Sequence, residues 1–337
     1  MGAHSSRIVV TTMKDEGPYV LEWLAYYKLI GFNHFVVFTN DCWDSTGEIL
    51  ETASDALGFV THIDNTDHGY GRVRHSDPQR RAYFKAASLA RVRTADYVLV
   101  VDADEFLNIH VGQGTLDDLL DATGPFEAMS LTWKLFGSNF VQRLSDELVM
   151  SQFSACLPAN GRLLERDLGV KTIFHPRRVE KIGVHRPFHI SAIKDGTLPV
   201  RWLNGAGQDQ YEYYRALKWH ASNETDGRTL AEINHYPIKS AEAFLTKMRR
   251  GSSNSHDAAR ANLKYWNNFN HNEVRDMSIQ RHAPEVRAQI ESWCAQVPEL
   301  RTLHDEAVAI HRLIAAEMHA ILAQEDPAVL LQLGLAL

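Results

Sequence analysis

The chain has few cysteines and no long apolar run, and both absences narrow the class of protein. Its cysteines, Cys42, Cys156 and Cys294, are odd in number, widely separated and outside any metal-ligand spacing. They therefore carry no disulfide framework and indicate a reducing compartment. The first residues lack the apolar stretch of a secretory signal, and no run approaches the length of a transmembrane helix. We expect a cytoplasmic protein without a transmembrane segment.

Excess positive charge and the common nucleotide-binding motifs are absent too. The formal net charge is −7, which argues against a general nucleic-acid binder, because such a protein needs a basic surface. The sequence contains no G-x-S-x-G, Walker A or G-x-G-x-x-G motif, so the common hydrolase, P-loop and dinucleotide classes are not indicated. The 337 residues, of which 45% are apolar, suffice for one large α/β domain with additions or for two domains.

The most informative stretch is an apolar run that ends in acidic residues. Residues 97–101 are typical of a strand buried on both faces, and Asp102, Asp104 and Glu105 follow directly. Three neighbouring carboxylates repel one another unless a cation lies among them. A divalent metal with a phosphate ligand would satisfy them, since hard cations prefer carboxylate oxygens. The alternative is a solvated turn after a strand.

Strand and helix patterns alternate over the first 106 residues, which predicts a mostly parallel sheet. Further structure is expected in a strand at 128–133, a basic helical stretch at 244–250 and two amphipathic helices within 285–323 that are separated near Pro298. Between residues 137 and 210 the pattern is irregular. We expect a nucleotide-binding and catalytic domain over 1–250, with the acceptor side mainly in 137–250, and a helical region over 251–337.

Charged residues near the predicted strand ends are candidates for binding a phosphorylated ligand. Asp41 follows the second strand, where its carboxylate could accept a hydrogen bond from a nucleobase or simply form a turn. Arg80 and Arg81 begin a helix and could bind phosphate there. Arg74 and Lys171 are further candidates for a diphosphate.

Histidine is frequent, with 17 residues in the chain. A neutral imidazole from His185 or His235 could complete an octahedral metal site built from aspartate, phosphate and water. Any single histidine can equally be a hydrogen-bonded structural residue. No H-x-x-x-H or H-E-x-x-H spacing supports a zinc site.

Several motifs together resemble those of GT-A glycosyltransferases, in a bacterial "glycosyl transferase family 2"-type branch related to glycosyltransferase family 92. The resemblance runs from about residue 7 to about residue 250 and leaves out the C-terminal helices. Its motifs are Lys14-Asp15-Glu16, Asn40-Asp41-Cys42-Trp43-Asp44-Ser45-Thr46, Val101-Asp102-Ala103-Asp104-Glu105-Phe106-Leu107-Asn108-Ile109, Leu135-Phe136-Gly137-Ser138, Lys171-Thr172-Ile173-Phe174, Gly183-Val184-His185-Arg186-Pro187 and Asn234-His235-Tyr236.

The resemblance implies a GT-A (Rossmann-like) α/β fold and an inverting, metal-dependent transfer of sugar from a nucleotide-sugar, usually a UDP-sugar. The acceptor would be a saccharide or another hydroxyl compound, as in polysaccharide biosynthesis. Asp102, Asp104 and His235 resemble the residues that bind Mn²⁺ or Mg²⁺, and Asp41 resembles the nucleobase-binding aspartate. The expected donor-binding residues are Thr12, Lys14, Glu16, Asp41, Arg80, Arg81, Asp102, Lys171 and His185.

The reaction also needs a carboxylate that takes the proton of the acceptor hydroxyl. Asp209 or Glu212 could do this, and Glu165 or Asp167 are alternatives. Two other classes stay open. A haloacid-dehalogenase-type phosphohydrolase also uses D-x-D after a strand, normally the first strand of the chain. A non-catalytic sugar-binding module would bind the donor without turnover.

The C-terminal helices carry an apolar stripe, which consists of Ile310, Leu313, Ile314, Met318 and Ile321. The stripe could pack on its own catalytic domain, form a homodimer contact or lie on the inner membrane surface. Membrane adhesion usually requires lysine and arginine on the polar face. Residues 299–337 contain only two arginines against six acidic residues, so the charge favours packing or self-association.

Overall fold

The computed structural model describes residues 5–66, 77–159, 163–216, 218–250 and 262–336. The strands are β1 (Arg7–Met13), β2 (His34–Thr39), β3 (Val60–Asp64), β4 (Tyr97–Val100), β5 (Glu105–Ile109), β6 (Ala128–Leu135), β7 (Ala155–Cys156), β8 (Val170–Phe174), β9 (Val179–Lys181), β10 (Phe188–His189), β11 (Trp202–Asn204), β12 (Ala231–His235) and β13 (Val274–Arg275).

The helices pack around these strands and extend to the C-terminus. They are α1 (Gly17–Leu29), α2 (Thr46–Leu57), α3 (Pro78–Ser88), α4 (Ala90–Arg93), α5 (Leu116–Thr123), α6 (Val149–Gln152), α7 (Ser191–Lys194), α8 (Tyr211–Arg215), α9 (Ala241–Arg250), α10 (Leu263–Phe269), α11 (Ala283–Gln296), α12 (Pro298–Glu325) and α13 (Pro327–Gln332).

The central sheet has the strand order β3-β2-β1-β4-β8-β6-β12-β5, with β11 beside β6. Strands β1 to β4 are parallel to their neighbours within this group. Strand β8 runs antiparallel between β4 and β6, and β5 runs antiparallel to β12. The carboxyl ends of β1, β2 and β4 therefore meet at one edge of the sheet, which is where ligands bind in open α/β sheets.

Apolar side chains alternate to the two faces of the sheet and build a core on each. In β1, Val9 belongs to the core beneath α1, and Ile8 and Val10 belong to the core beneath α3. Helix α1 begins with Pro18 in its first turn and stops before Gly31, whose φ is +107°. Glycine adopts this left-handed backbone without strain, so the helix ends there.

The C-terminal helices share the core of the sheet domain. Leu300 and Ala307 of α12 belong to the same core as Val9 and the residues of α1. Helix α12 packs against α1, α2 and α9. Its buried positions differ from the predicted stripe, because Leu313 and Ile321 face solvent. The buried set is Leu300, His304, Ala307, Val308, His311, Ile314 and Ala315.

The predicted fold class is confirmed: a mostly parallel sheet is flanked by helices and followed by a C-terminal helical extension. Residues 78–93 form two helices, α3 and α4, because the backbone of Leu89 between them is extended. Within the described ranges, no helix has both the length and the apolarity to cross a bilayer.

Candidate active site

The acidic motif forms a tight turn between two buried strands. Strand β4 ends at Val100 and β5 begins at Glu105. The backbone N–H of Asp102 donates to Oε2 of Glu105 at 2.7 Å, and the backbone N–H of Glu105 donates to the Asp102 carbonyl at 3.2 Å. The indole of Trp23 donates to the same carbonyl. The turn thus holds the carboxylates at the edge where β1, β2 and β4 end.

A buried lysine lies between two of these carboxylates. Nζ of Lys171 is 2.9 Å from Oδ2 of Asp102 and 3.2 Å from Oε2 of Glu105. Burial alone would lower the pKa of Lys171, but the two carboxylates raise it above its ordinary value. Burial raises the pKa of Glu105 to about 7, although Lys171 opposes this. Gln79 donates to Oδ1 of Asp102 at 2.8 Å. Part of the negative charge is therefore balanced by the chain itself.

The other acidic residue of the motif, Asp104, faces a histidine and a second lysine. His235 Nε2 is 3.6 Å from Oδ1, and Lys247 Nζ is 3.3 Å from Oδ2. The pairing of His235 with Glu105 between β12 and β5 places the histidine there. Burial would raise the pKa of Asp104, but Lys247 and His235 hold it well below its ordinary value. Asp104 is therefore a carboxylate at neutral pH.

A divalent metal fits Asp104 and His235 better than the whole predicted triad. The carboxylate and imidazole are the ligand types that Mn²⁺ accepts, and Nε2 of His235 lies 3.6 Å from Oδ1 of Asp104, close enough for both atoms to bind one ion. Asp102 is instead held by Lys171 and Gln79. Its carboxylate does not join Asp104 and His235 in a group with all ligand atoms within 4.8 Å.

Two other clusters among the described residues do meet that spacing. They are Asp15, Cys42 and Asp44, and Asp146, His304 and Asp305. In the first, Asp44 already accepts four hydrogen bonds, from Gly17, His311 and both donors of Thr46, which fills its acceptor positions. In the second, the guanidinium of Arg301 lies within 4 Å of both carboxylates. Arg301 therefore balances charge in the second cluster, whereas in the first Oδ2 of Asp15 is buried without a hydrogen-bond partner among the described residues.

A cationic pocket opens beside Asp104 and was not assigned from the sequence, which showed only that residues 244–250 are basic. Its empty volume is about 320 Å³. Its lining includes the cations Lys239, Lys247 and Arg250 and the acidic residues Asp15 and Glu16. Arg250 donates to Glu16 at 2.6 Å, and Lys239 lies 3.8 Å from the same carboxylate. Three cations around one pocket suit a phosphorylated ligand.

The predicted donor-binding residues of the first two strands lie at this edge. Thr12 is near the end of β1, and the carbonyl of Lys14 accepts a hydrogen bond from Arg250. Glu16 lines the cationic pocket. Asp41 has a positive φ of +49°, and its backbone N–H donates to Thr66 at 3.1 Å. Aspartate tolerates this left-handed backbone in turns, which suits the position of Asp41 directly after β2.

The predicted arginines of α3 make contacts within the chain. Arg80 is largely exposed and lies 3.4 Å from Asp77. Arg81 donates from Nε to the Asn65 side chain at 3.2 Å. Arg74 lies outside the described residues.

His185 belongs to a row of rings that leads away from His235. The ring centroid of His235 is 4.6 Å from Trp133, Trp133 is 5.5 Å from His185, and His185 is 5.2 Å from Trp219. Burial lowers the pKa of His185 to about 4, and Lys171 adds to this effect. His185 is therefore neutral at physiological pH.

The candidate general bases lie apart from this cluster. Strand β11 pairs with the first residues of β6, whereas His235 pairs with its last residue, Leu135. Asp209 bridges to β11 and accepts a hydrogen bond from Tyr211. Glu212 is exposed and pairs with Arg215. The structure thus places both at the other end of β6.

The two alternative bases are also engaged elsewhere. Asp167 caps a short 3₁₀ helix by accepting from the N–H of Leu164. Glu165 is exposed and lies 3.8 Å from His220.

Helix α12 contributes to the site, which the sequence did not indicate. His311 is buried and lies 2.8 Å from Oδ2 of Asp44. Its ring lies 5.0 Å from that of Trp43, and it lines the cationic pocket. Ser45 donates to Glu306 at 3.1 Å. Contacts from α12 therefore stabilise the segment between β2 and α2.

Comparisons with known proteins place this geometry in a family. The model of glycosyltransferase family 92 matches residues 10–296. No curated protein sequence matches the chain. The mannosyltransferase PcManGT from Pyrobaculum calidifontis, solved with GDP-Man and Mn²⁺, is 13% identical, with a TM-score of 0.36 over 99% of this chain and 87% of that one.

HddC from Yersinia pseudotuberculosis is 8% identical, with a TM-score of 0.29 over 59% of this chain and 89% of that one. Both TM-scores are low, so neither likeness indicates which donor this chain uses. The family match covers most of the chain and includes β4, β5, β8 and β12, which carry the acidic turn, Lys171 and His235. The chain belongs to glycosyltransferase family 92 and is a glycosyltransferase.

Proposed function

We propose that the chain transfers a sugar from a nucleotide-sugar donor to a saccharide hydroxyl, with a divalent metal bound and with inversion at the anomeric carbon. A UDP-sugar is the first donor to test. The observation that supports this most is that Asp104, which faces His235, pairs with Lys247, one of the three cations that line the pocket. A carboxylate–imidazole pair and a cationic pocket together provide for a metal and a diphosphate.

The cationic pocket would hold the diphosphate of the donor. We assign to it only the diphosphate of the donor, because the cations in its lining suit phosphate oxygens. Lys247 now pairs with Asp104, and Arg250 pairs with Glu16. A diphosphate would give both cations an alternative partner of higher charge.

The chemistry follows from the charges. The acceptor hydroxyl oxygen bonds to the anomeric carbon as the bond between that carbon and the phosphate oxygen breaks. The electron pair of the broken bond stays on the leaving diphosphate, and the hydroxyl proton passes to a carboxylate base. Lys239, Lys247 and Arg250 would stabilise that charge by direct contact. When bound by Asp104 and His235, Mn²⁺ or Mg²⁺ would supply further positive charge there. Asp41 is proposed to contact the nucleobase, and Asp102 the ribose.

The test is a panel of nucleotide sugars with and without Mn²⁺, read first as thermal shift and then as slow hydrolysis of the donor. A ligand that binds the folded state raises its melting temperature by mass action. We expect at least one nucleotide sugar to stabilise the protein and to be hydrolysed, and EDTA to weaken both effects. Absence of a shift and of hydrolysis with every donor would refute the proposal.

A further inference from the structure

The row of rings from His235 to Trp219 ends at the protein surface. Trp219 keeps 42% of its surface exposed, although it stacks against His185. His235 contacts Asp104 on one side and the ring of Trp133 on the other. Trp219 and His185 therefore lie on the side of His235 away from Lys247 and the cationic pocket.

This row is held rigidly by its neighbours. The indole N–H of Trp133 donates to Oε1 of Glu105 at 2.8 Å. Gly169 packs flat against the Trp133 ring, where any Cβ would overlap ring atoms. The carbonyl of Trp219 accepts a hydrogen bond from the N–H of Val170 at 3.3 Å. An aromatic surface fixed in this way loses little conformational freedom when a ligand binds it.

His185 presents a hydrogen-bond acceptor beside the exposed indole. Its Nδ1 lies 3.1 Å from the Val170 carbonyl oxygen. A carbonyl can only accept, so Nδ1 carries the proton and Nε2 keeps its lone pair. His185 is partly exposed, and no described side chain hydrogen-bonds to its Nε2.

We propose that Trp219 and His185 form the acceptor subsite and that it binds a neutral pyranose. One face of the sugar ring lies on the Trp219 indole, and a sugar hydroxyl donates a hydrogen bond to Nε2 of His185. An apolar aromatic platform with one precisely oriented polar atom is the usual composition of a small-molecule site. The absence of a charged partner for Nε2 favours a neutral sugar over an acidic one. The proposal rests on the proposed transfer reaction.

The experiment compares Trp219→Ala, Trp219→Phe and His185→Gln with Phe84→Ala, a control at an exposed aromatic residue of α3. The assay follows transfer from an accepted donor to the methyl glycosides of glucose, galactose and mannose, together with hydrolysis of that donor by water. We expect Trp219→Ala and His185→Gln to raise the acceptor KM about tenfold or more, equivalent to about 1.4 kcal/mol. Trp219→Phe keeps most of the affinity because the platform is retained.

Donor KM and donor hydrolysis are expected to stay at wild-type values in Trp219→Ala. Unchanged donor kinetics in Trp219→Ala would show that the substitution disturbs neither the donor site nor the fold. The rise in acceptor KM would then belong to the subsite. An acceptor KM unchanged from the Phe84→Ala control, or a parallel rise in donor KM, would overturn the subsite.

Saturation-transfer NMR with the same three glycosides gives a readout that needs no turnover. The wild-type chain is expected to give a signal that Trp219→Ala loses. No signal from the wild-type chain overturns the subsite even where donor hydrolysis is intact. A signal that depends on Trp219 without any donor hydrolysis keeps the subsite and refutes the transfer reaction.

Discussion

Replacing Lys171 with methionine tests whether the buried lysine is what allows two carboxylates to lie together. Lys171 and Glu105 are fully buried, and the ammonium lies within 3.2 Å of Glu105 and 2.9 Å of Asp102. Methionine keeps the length of the apolar chain but removes the charge. Removing one partner of a buried ion pair costs about 3–5 kcal/mol, because the remaining carboxylates lose their counterion.

The assay is urea unfolding at pH 8. With a slope of about 3 kcal/mol per molar, the midpoint of Lys171→Met is expected to fall by about 1–1.7 M. Lys85→Met is the matched control, since Lys85 is an exposed residue of α3 and such changes stay within about 0.5 kcal/mol. In the double variant with Glu105→Gln the midpoint is expected to recover in part. If the midpoints of Lys171→Met and Lys85→Met coincide, Lys171 does not stabilise the fold by balancing the charges of Asp102 and Glu105.

Three other changes test separate parts of the structure. His311→Ala leaves Asp44 without its α12 partner and is expected to weaken donor binding in calorimetry about tenfold, whereas exposed Leu313→Ala leaves it unchanged. Burial raises the pKa of Glu22 to about 7, so its contribution to stability is full below about pH 4.5 and is lost as the pH rises through 7. In urea unfolding, Glu22→Gln should therefore gain stability relative to wild type as the pH rises from 5 to 8. A difference in unfolding free energy between the two proteins that does not change with pH would argue against the raised pKa. A chain ended after residue 297 should lack cooperative thermal unfolding by circular dichroism, because α12 completes the main core; a cooperative transition would show that the helix is an accessory.

The elements near the acidic motif were predictable because their patterns are local. The second strand, which precedes Asp41, was predicted and is observed at His34–Thr39, since a continuous apolar run marks a strand covered on both faces. The acids at the end of β4 were likewise placed at the sheet edge. The sequence also indicated that a cation must lie among them.

The identity of that cation was not predictable, because it depends on pairing between distant strands. Lys171 reaches Asp102 only because β8 inserts antiparallel between β4 and β6. A parallel sheet built from local patterns gives no sign of such an insertion. The cationic pocket beside Asp104 was not predictable for the same reason, because it depends on elements far apart in the sequence. Helix α9 follows β12 and brings Lys247 to Asp104, a residue 143 positions earlier.

The face of α12 was mispredicted for a related reason. Apolar periodicity selected Leu313 and Ile321, which are exposed, and passed over His304 and His311, which are buried. Both histidines find carboxylate partners far away in the sequence, 158 and 267 residues apart. A polar residue can be buried when it is hydrogen-bonded, and hydrophobicity alone does not reveal such partners.

The most direct test of the proposed function is calorimetric titration of UDP and GDP into the wild-type chain and Asp104→Asn, with Mn²⁺ and with EDTA. Asp55→Asn serves as control, since Asp55 is an exposed residue of α2. We predict that at least one nucleotide binds the wild type and Asp55→Asn with Mn²⁺, and that EDTA or Asp104→Asn weakens this binding at least about tenfold. Binding that is equal in all three proteins and indifferent to EDTA would contradict the metal role of Asp104, and binding of neither nucleotide to the wild type would contradict the proposed donor.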